Sequence, residues 1–259
     1  MNDPLGRSEP GALATQLRES VAWLVDLLFE RTDARPQLPA IPARACRIAS
    51  GTRVAFCSLV AGCGTTTLAA LVAQRAGGSG SAVRLLDLDL VAPTVALLAG
   101  ERTPTLLDAL AAERVRGRKW GSVHAIFGAE RDPGADVVAT LVRFVGRMSE
   151  DAAVVIDAGA FADRSTPLLR AADVVVYVTT PRAAHVHAAT RAIAMLRDVD
   201  RPLRLVVNRA GPQAAAAIAQ ELGVTLAGAI PEDPFLARDD FRVRAETARE
   251  VDRLIGALA

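Results

Sequence analysis

The run Ser58-Leu59-Val60-Ala61-Gly62-Cys63-Gly64-Thr65-Thr66-Thr67 lies between an apolar segment, Arg53 to Cys57, and a helical run, Leu68 to Gln74. A strand, a glycine-rich turn and a helix N-terminus together make a phosphate cradle. Backbone N–H groups and the helix dipole converge there on an anion. Ala61, Gly62, Cys63, Gly64, Thr65, Thr66 and Thr67 are therefore the first candidate nucleotide-binding residues. A phosphate-binding loop ordinarily places a lysine just before its Ser or Thr, where the ammonium meets the outer phosphates. Here that position is Thr65, and Lys119 is the sole lysine of the chain. The loop promises nucleotide binding more firmly than hydrolysis.

Outward from the loop, strands and helices alternate. Strands are expected at Arg53–Ser58, Ala82–Leu86, Trp120–Phe127, Ala152–Ile156, Val174–Val178, Leu203–Val207 and Thr225–Ala229. Helices are expected at Thr65–Arg75, Asp136–Met148, Ala183–Arg197, Gln213–Leu222 and about Arg244 to Leu258, with short helical pieces in 91–118. Near-continuous apolar strands separated by helices imply an α/β fold, a mostly parallel sheet covered by helices on both faces. Ligands of such sheets bind beyond the carboxyl ends of the strands. Asp87-Leu88-Asp89, Asp157, Asn208-Arg209 and Pro231-Glu232-Asp233-Pro234 all fall at such ends. Upstream, Leu13, Leu17, Val21, Leu24 and Leu28 recur at helical spacing within Gly11–Glu30. Pro36, Pro39 and Pro42 mark a linker. Residues 1–50 thus read as a helix and linker, and 51–259 as one nucleotide-binding domain.

At 259 residues, 51% apolar and only 4% aromatic, the core must be built from Ala, Val and Leu. A net charge of +1 points neither to a nucleic-acid coat nor to an acidic tail. Cys46, Cys57 and Cys63 are odd in number and lack metal-ligand spacing, as suits a reducing cytoplasm. No 18-residue apolar run is present, which argues against a membrane span.

Taken alone, Gly62-Cys63-Gly64 competes with a dinucleotide-binding turn, with Asp87 as the distant acid. The third glycine of that turn would be Thr67, and two threonines at a helix start suit phosphate and magnesium better. The whole set resembles the ParA/MinD family of nucleotide-switched positioning ATPases, over roughly residues 52–259. The family pattern Lys-Gly-Gly-x-Gly-Lys-Thr-Thr is met here by Val60-Ala61-Gly62-Cys63-Gly64-Thr65-Thr66-Thr67, so both lysines are absent, at Val60 and at Thr65. That departure, with Asp87-Leu88-Asp89-Leu90 and Val95-Ala96-Leu97-Leu98, looks like the TadZ/CpaE pilus-assembly and polar-localisation branch.

The resemblance implies ATP and Mg²⁺ as cofactors. Thr66 would be the magnesium-side hydroxyl, with Asp87 and Asp157 beside it, and Thr67 an α-phosphate contact. Asp89 would orient attacking water. Asn208 would bond adenine, with Pro231 and Glu232 lining the base pocket, and Arg209 is a further nucleotide-binding candidate. Losing one preorganised stabilising group costs on the order of 3 kcal/mol in phosphoryl transfer. Two lost lysines therefore imply weak or absent turnover, while loop amides, metal and base contacts preserve binding. A homodimer serving a larger assembly, cytoplasmic or recruited to the inner membrane face or a pole, is the expectation. One alternative is a working ATPase for DNA or cargo partition, with Arg182 or Arg209 in place of lysine. Another is a nucleotide-free scaffold.

Other features carry less. Cys63 reads as a small packing residue and not a nucleophile. His185 and His187, two apart on a helix, make a poor metal pair. Arg114, Arg116, Arg118 and Lys119 read as a wet basic loop, with contact to DNA or anionic lipid left open.

Overall fold

The computed structural model of the protein describes residues 46–112, 117–129, 137–160, 165–236 and 243–258. The expected helix at Gly11–Glu30 and most of the linker lie outside them. The described chain runs β1 (Arg53–Ser58), α1 (Thr65–Gly78), β2 (Val83–Asp87), α2 (Val95–Ala99), α3 (Leu106–Ala111), β3 (Arg118–Trp120), β4 (Val123–Ile126) and α4 (Val138–Met148). It continues through β5 (Ala153–Ala160), α5 (Thr166–Ala171), β6 (Val174–Thr179), α6 (Ala183–Arg197), β7 (Leu203–Asn208), α7 (Pro212–Leu222), β8 (Thr225–Ile230) and α8 (Ala245–Leu258).

One eight-stranded sheet forms in the order β3-β4-β2-β5-β1-β6-β7-β8. Every neighbouring pair is parallel except β3 with β4. The period-2 alternation of strand side chains builds two cores from the same strands. Ala55 and Cys57 of β1, with Val154 and Ile156 of β5, pack one face against Leu141, Phe144, Ile193 and Ile218. Val54 and Phe56, with Ala153 and Val155, pack the other against Leu68, Leu71, Leu254 and Ile255 of α1 and α8. Helix α1 is buried on nearly every side, which its run Leu68-Ala69-Ala70-Leu71-Val72-Ala73 permits because small side chains let strands and helices approach.

One departure from expectation concerns Trp120–Phe127. It is not one strand: β3 and β4 form an antiparallel hairpin with Trp120 opposite Val123. The cause is long-range. The Gln74 side chain of α1 donates to Trp120 O at 2.8 Å and accepts from Ser122 N at 2.9 Å, which pins the turn. Helix α5 was also not apparent as periodicity, being six residues long. Of the basic run, Arg118 and Lys119 are exposed on the edge strand β3, whereas Arg114 and Arg116 fall outside the described residues.

Candidate functional site

Gly62 and Gly64 adopt φ of 81° and 88°, a left-handed conformation that other residues take only with strain. These two reversals fold the chain between β1 and α1 into a compact loop whose outer side is open: a Cβ at Gly62 would have nothing within 4 Å. At Gly64 a Cβ would overlap the Asn208 Nδ2 atom. Asn208, at the end of β7, donates from Nδ2 to Cys63 O at 2.9 Å, and its Oδ1 accepts from Arg209 N at 3.0 Å. The side chain assigned by resemblance to adenine is thus also a brace on the phosphate loop. Tyr177 Oη of β6 accepts from Leu59 N at 3.2 Å and fixes the start of the same loop.

Cys63 is 2% exposed. Its Sγ lies 3.6 Å from His185 Nδ1, and that nitrogen is 2.8 Å from Thr180 Oγ1. Burial pushes the Cys63 thiol up in pKa, with the positive fields of Arg209 and then Arg182 pulling the other way. Neither the sequence spacing nor the composition pointed to His185 as a support of the loop. Thr65, at the missing lysine's position, is 6% exposed, and its Oγ1 is buried without a partner. Its side chain is turned inward, and its backbone belongs to the loop.

On the opposite flank, β2 and β5 bring Asp87 and Asp157 side by side as register partners. Both are fully buried. Asp87 accepts from Val95 N at 3.0 Å and Asp89 N at 3.3 Å, and Asp157 Oδ1 accepts from Gly159 N at 3.1 Å. Burial raises the pKa of each, and the Asp157 charge raises Asp87 further. The neighbouring Thr66 hydroxyl acts against burial at Asp157. That contact falls short of full hydrogen-bond geometry, so Asp157 Oδ2 remains a buried acceptor without a partner. Thr94 Oγ1 donates to Thr66 Oγ1 at 3.2 Å, joining the segment after β2 to the loop. Asp89 closes a turn by accepting from Val91 N and Ala92 N, both at 2.9 Å. A Cβ at Gly159 would overlap its carboxylate, so that glycine is what admits Asp89 to the corner.

An unpartnered, buried carboxylate oxygen beside a hydroxyl fits a hydrated divalent cation. Among the described residues no group of three or more His, Cys, Asp or Glu side chains could hold a metal by itself. Any cation at Thr66 and Asp157 would therefore need phosphate and water to complete its shell. Pro231 and Glu232 follow β8, on the rim next to Asn208. Asp233, quoted above only as part of a turn, is a structural acid. It accepts from Phe235 N, Arg244 N and the Thr247 hydroxyl, and so organises the approach to α8.

No protein-family model matches the sequence, and no curated protein is similar enough to count as a match. Solved structures do match. The Pyrococcus furiosus cell division ATPase MinD superposes with a TM-score of 0.66 at 18% identity, over 80% of this chain and 98% of its own. A ParA family ATPase from Chlorobium tepidum gives 0.66 at 16%, over 80% and 99%. The fold is that of MinD and ParA. The septum site-determining protein MinD of Pyrococcus horikoshii, complexed with Mg-ADP, gives 0.66 at 17%, over 79% and 94%. The MinD/ParA-like fold spans almost the full length of these relatives. In this chain a glycine loop lies at the carboxyl end of β1, Asp87 and Asp157 on the β2–β5 flank, and Arg182 and Arg209 after β6 and β7.

Proposed function

We propose that this chain is an ATP- and Mg²⁺-binding positioning or assembly protein, a localisation scaffold of the TadZ/CpaE kind, whose phosphate loop binds without fast turnover. The observation that carries the reading is the pairing of an open, doubly left-handed glycine loop at the start of α1 with the unpartnered Asp157 Oδ2 beside Thr66. Loop amides of Ala61 to Thr67 would hold the phosphates. Thr66 would bind Mg²⁺ directly, with Asp157 and Asp87 reaching it through water, and the cation would neutralise phosphate charge. Asn208, Pro231 and Glu232 would border the base, Arg209 would contact the nucleotide, and Asp89 would orient water in any residual hydrolysis. With Thr65 turned inward and Val60 apolar, the loop itself offers no cation to a developing phosphoryl charge, and turnover is weak or absent.

Residues 51–259 act as one domain in this reading, with the segment Gly11–Glu30, expected from its sequence to be helical, recruiting a larger assembly and a second copy docking over the loop. Val91 and Leu97, 62% and 50% exposed on the segments following the acid corner, support that docking face. Among the described residues no helix is long and apolar enough to cross a membrane, and placement in the cytoplasm, with recruitment to a membrane face or pole, is part of the proposal.

Calorimetric titration with Mg-ATP tests the reading, with binding in the micromolar range as the expected result. Phosphate release should stay near background. An absence of binding up to millimolar Mg-ATP overturns the reading in favour of a nucleotide-free scaffold. The exposed Arg182 and Arg209 beside the loop favour a second reading, a working ATPase. Robust phosphate release that Asp89→Ala abolishes would establish it.

A further inference from the structure

Sheet order places β1 between β5 and β6. The acids arrive at the loop from the β5 side, so the β6 and β7 side is where this chain's own cationic side chains can approach it. Each of those strands ends in a turn that carries one arginine. Arg182 is the N-cap of α6, three residues beyond β6, and Arg209 follows β7 directly. Both are exposed, and neither guanidinium takes part in an ion pair among the described residues.

Both turns are braced on the same loop residue. Arg182 N donates to Thr180 Oγ1 at 3.4 Å, and Thr180 leads through His185 to Cys63 Sγ. Arg209 N donates to Asn208 Oδ1, and Asn208 Nδ2 donates to Cys63 O. Arg209 also holds φ of 58°, a left-handed backbone that a non-glycine residue adopts only where its surroundings enforce it. The turns bearing Arg182 and Arg209 are thus tied to the Cys63 segment, so both exposed side chains start from the β6–β7 edge of the loop, and the Cys63 thiol feels the positive field of each.

We propose that Arg182 and Arg209 together supply, from the β6–β7 side, the positive charge on the nucleotide's phosphates that a lysine at position 65 would otherwise give. The inference rests on the nucleotide-binding reading above. A guanidinium stays charged at every working pH and grips phosphate with a planar fork of donors. The two arginines follow neighbouring strands, β6 and β7, so a single polyphosphate at the loop pairs with both. Their position opposite the metal corner means phosphate is held between two separate sources of positive charge.

The test is calorimetric titration with Mg-ATP of wild type, Arg182→Ala, Arg209→Ala, the double alanine variant, and Arg191→Ala as a control farther along α6. Thermal unfolding verifies that each variant is folded. Each single change at the pair should weaken binding about tenfold and the double about a hundredfold, as charge-assisted contacts warrant. Arg191→Ala should bind as wild type does. The double lysine variant, R182K with R209K, should recover most of the affinity, and Thr65→Lys should rescue the double alanine variant, results that a merely structural role would not give. Wild-type affinity should also fall more steeply with added salt than that of the double alanine variant. A folded double alanine variant within threefold of wild type overturns the arginine proposal alone. Wild type that binds no nucleotide overturns the functional reading and this proposal with it.

Discussion

Gly62 and Gly64 offer a matched pair of perturbations. Their φ values are 81° and 88°, so an alanine at either position pays a similar backbone strain of about 1 to 2 kcal/mol. They differ in what the new methyl group meets: open space at Gly62, and the Asn208 carboxamide at Gly64. Gly64→Ala must therefore also displace the buried Asn208 side chain and break its 2.9 Å bond to Cys63 O, at about 1 kcal/mol more. In a domain of this size each kcal/mol moves the thermal midpoint by about 2–4 °C. Gly64→Ala should thus melt about 2–4 °C below Gly62→Ala, and both below wild type. Differential scanning calorimetry without nucleotide measures this, and Asn208→Ala completes a double-mutant cycle. In the Asn208→Ala background the extra cost of Gly64→Ala should vanish, leaving only the strain shared with Gly62→Ala. Equal midpoints for the two glycine variants, or an extra cost that persists without the Asn208 side chain, would refute the idea that β7 braces the loop through this contact.

Two further outcomes follow from buried charge. Burial, with repulsion from Asp89, raises Asp157 from 3.8 to about 6, and burial, with repulsion from Asp157, raises Asp87 from 3.8 to about 8, so the folded protein keeps protons that the unfolded chain has already released. Stability from this pair is full below about pH 4 and is lost as pH rises through 6 to 8. Asp157→Asn should accordingly gain on wild type in denaturant unfolding at pH 8 and show little difference at pH 4; a gain independent of pH would contradict the assignment. Arg75 of α1 is 1% exposed and pairs with Asp252 of α8 through two contacts of 2.7 Å, with its Nη1 atom unpartnered. Asp252→Ala strands that guanidinium and should cost about 3 to 5 kcal/mol, while Arg75→Met with Asp252→Leu should cost far less. A loss under about 1 kcal/mol in urea unfolding would show that Arg75 finds water.

Much of the fold was legible because its central strands are apolar on both faces. The segments around Val54–Cys57, Val154–Ile156 and Val175–Val178 read as strands of a covered parallel sheet, and the sheet contains them as such. What escaped was set by contacts far apart in sequence. The β3–β4 hairpin depends on Gln74, 48 residues from Ser122, and nothing in 118–127 announces that anchor. At the site, the loop and Asp87 could be placed from strand-end positions, whereas Asp157, expected to follow its strand, lies inside β5, which runs on to Ala160. Supports such as His185 under Cys63 and Asp233 before α8 could not be recognised, since a buried histidine or an acid in a turn looks the same in sequence whether or not it holds something up. Asn208 illustrates the middle case, with its position anticipated and its bond to Cys63 O supplied only by three-dimensional proximity.

The burial of all three thiols has a practical consequence. Cys46, Cys57 and Cys63 are each 2% exposed or less, and burial raises the pKa of every one, so alkylating reagents meet almost no thiolate while the native fold is closed. Cys46 lies near the start of the described chain and Cys57 within the central strand, whereas Cys63 sits in the loop itself. Its labelling rate therefore counts how often that loop lifts away from β6 and β7, giving the chain a built-in clock for local opening that requires no introduced probe.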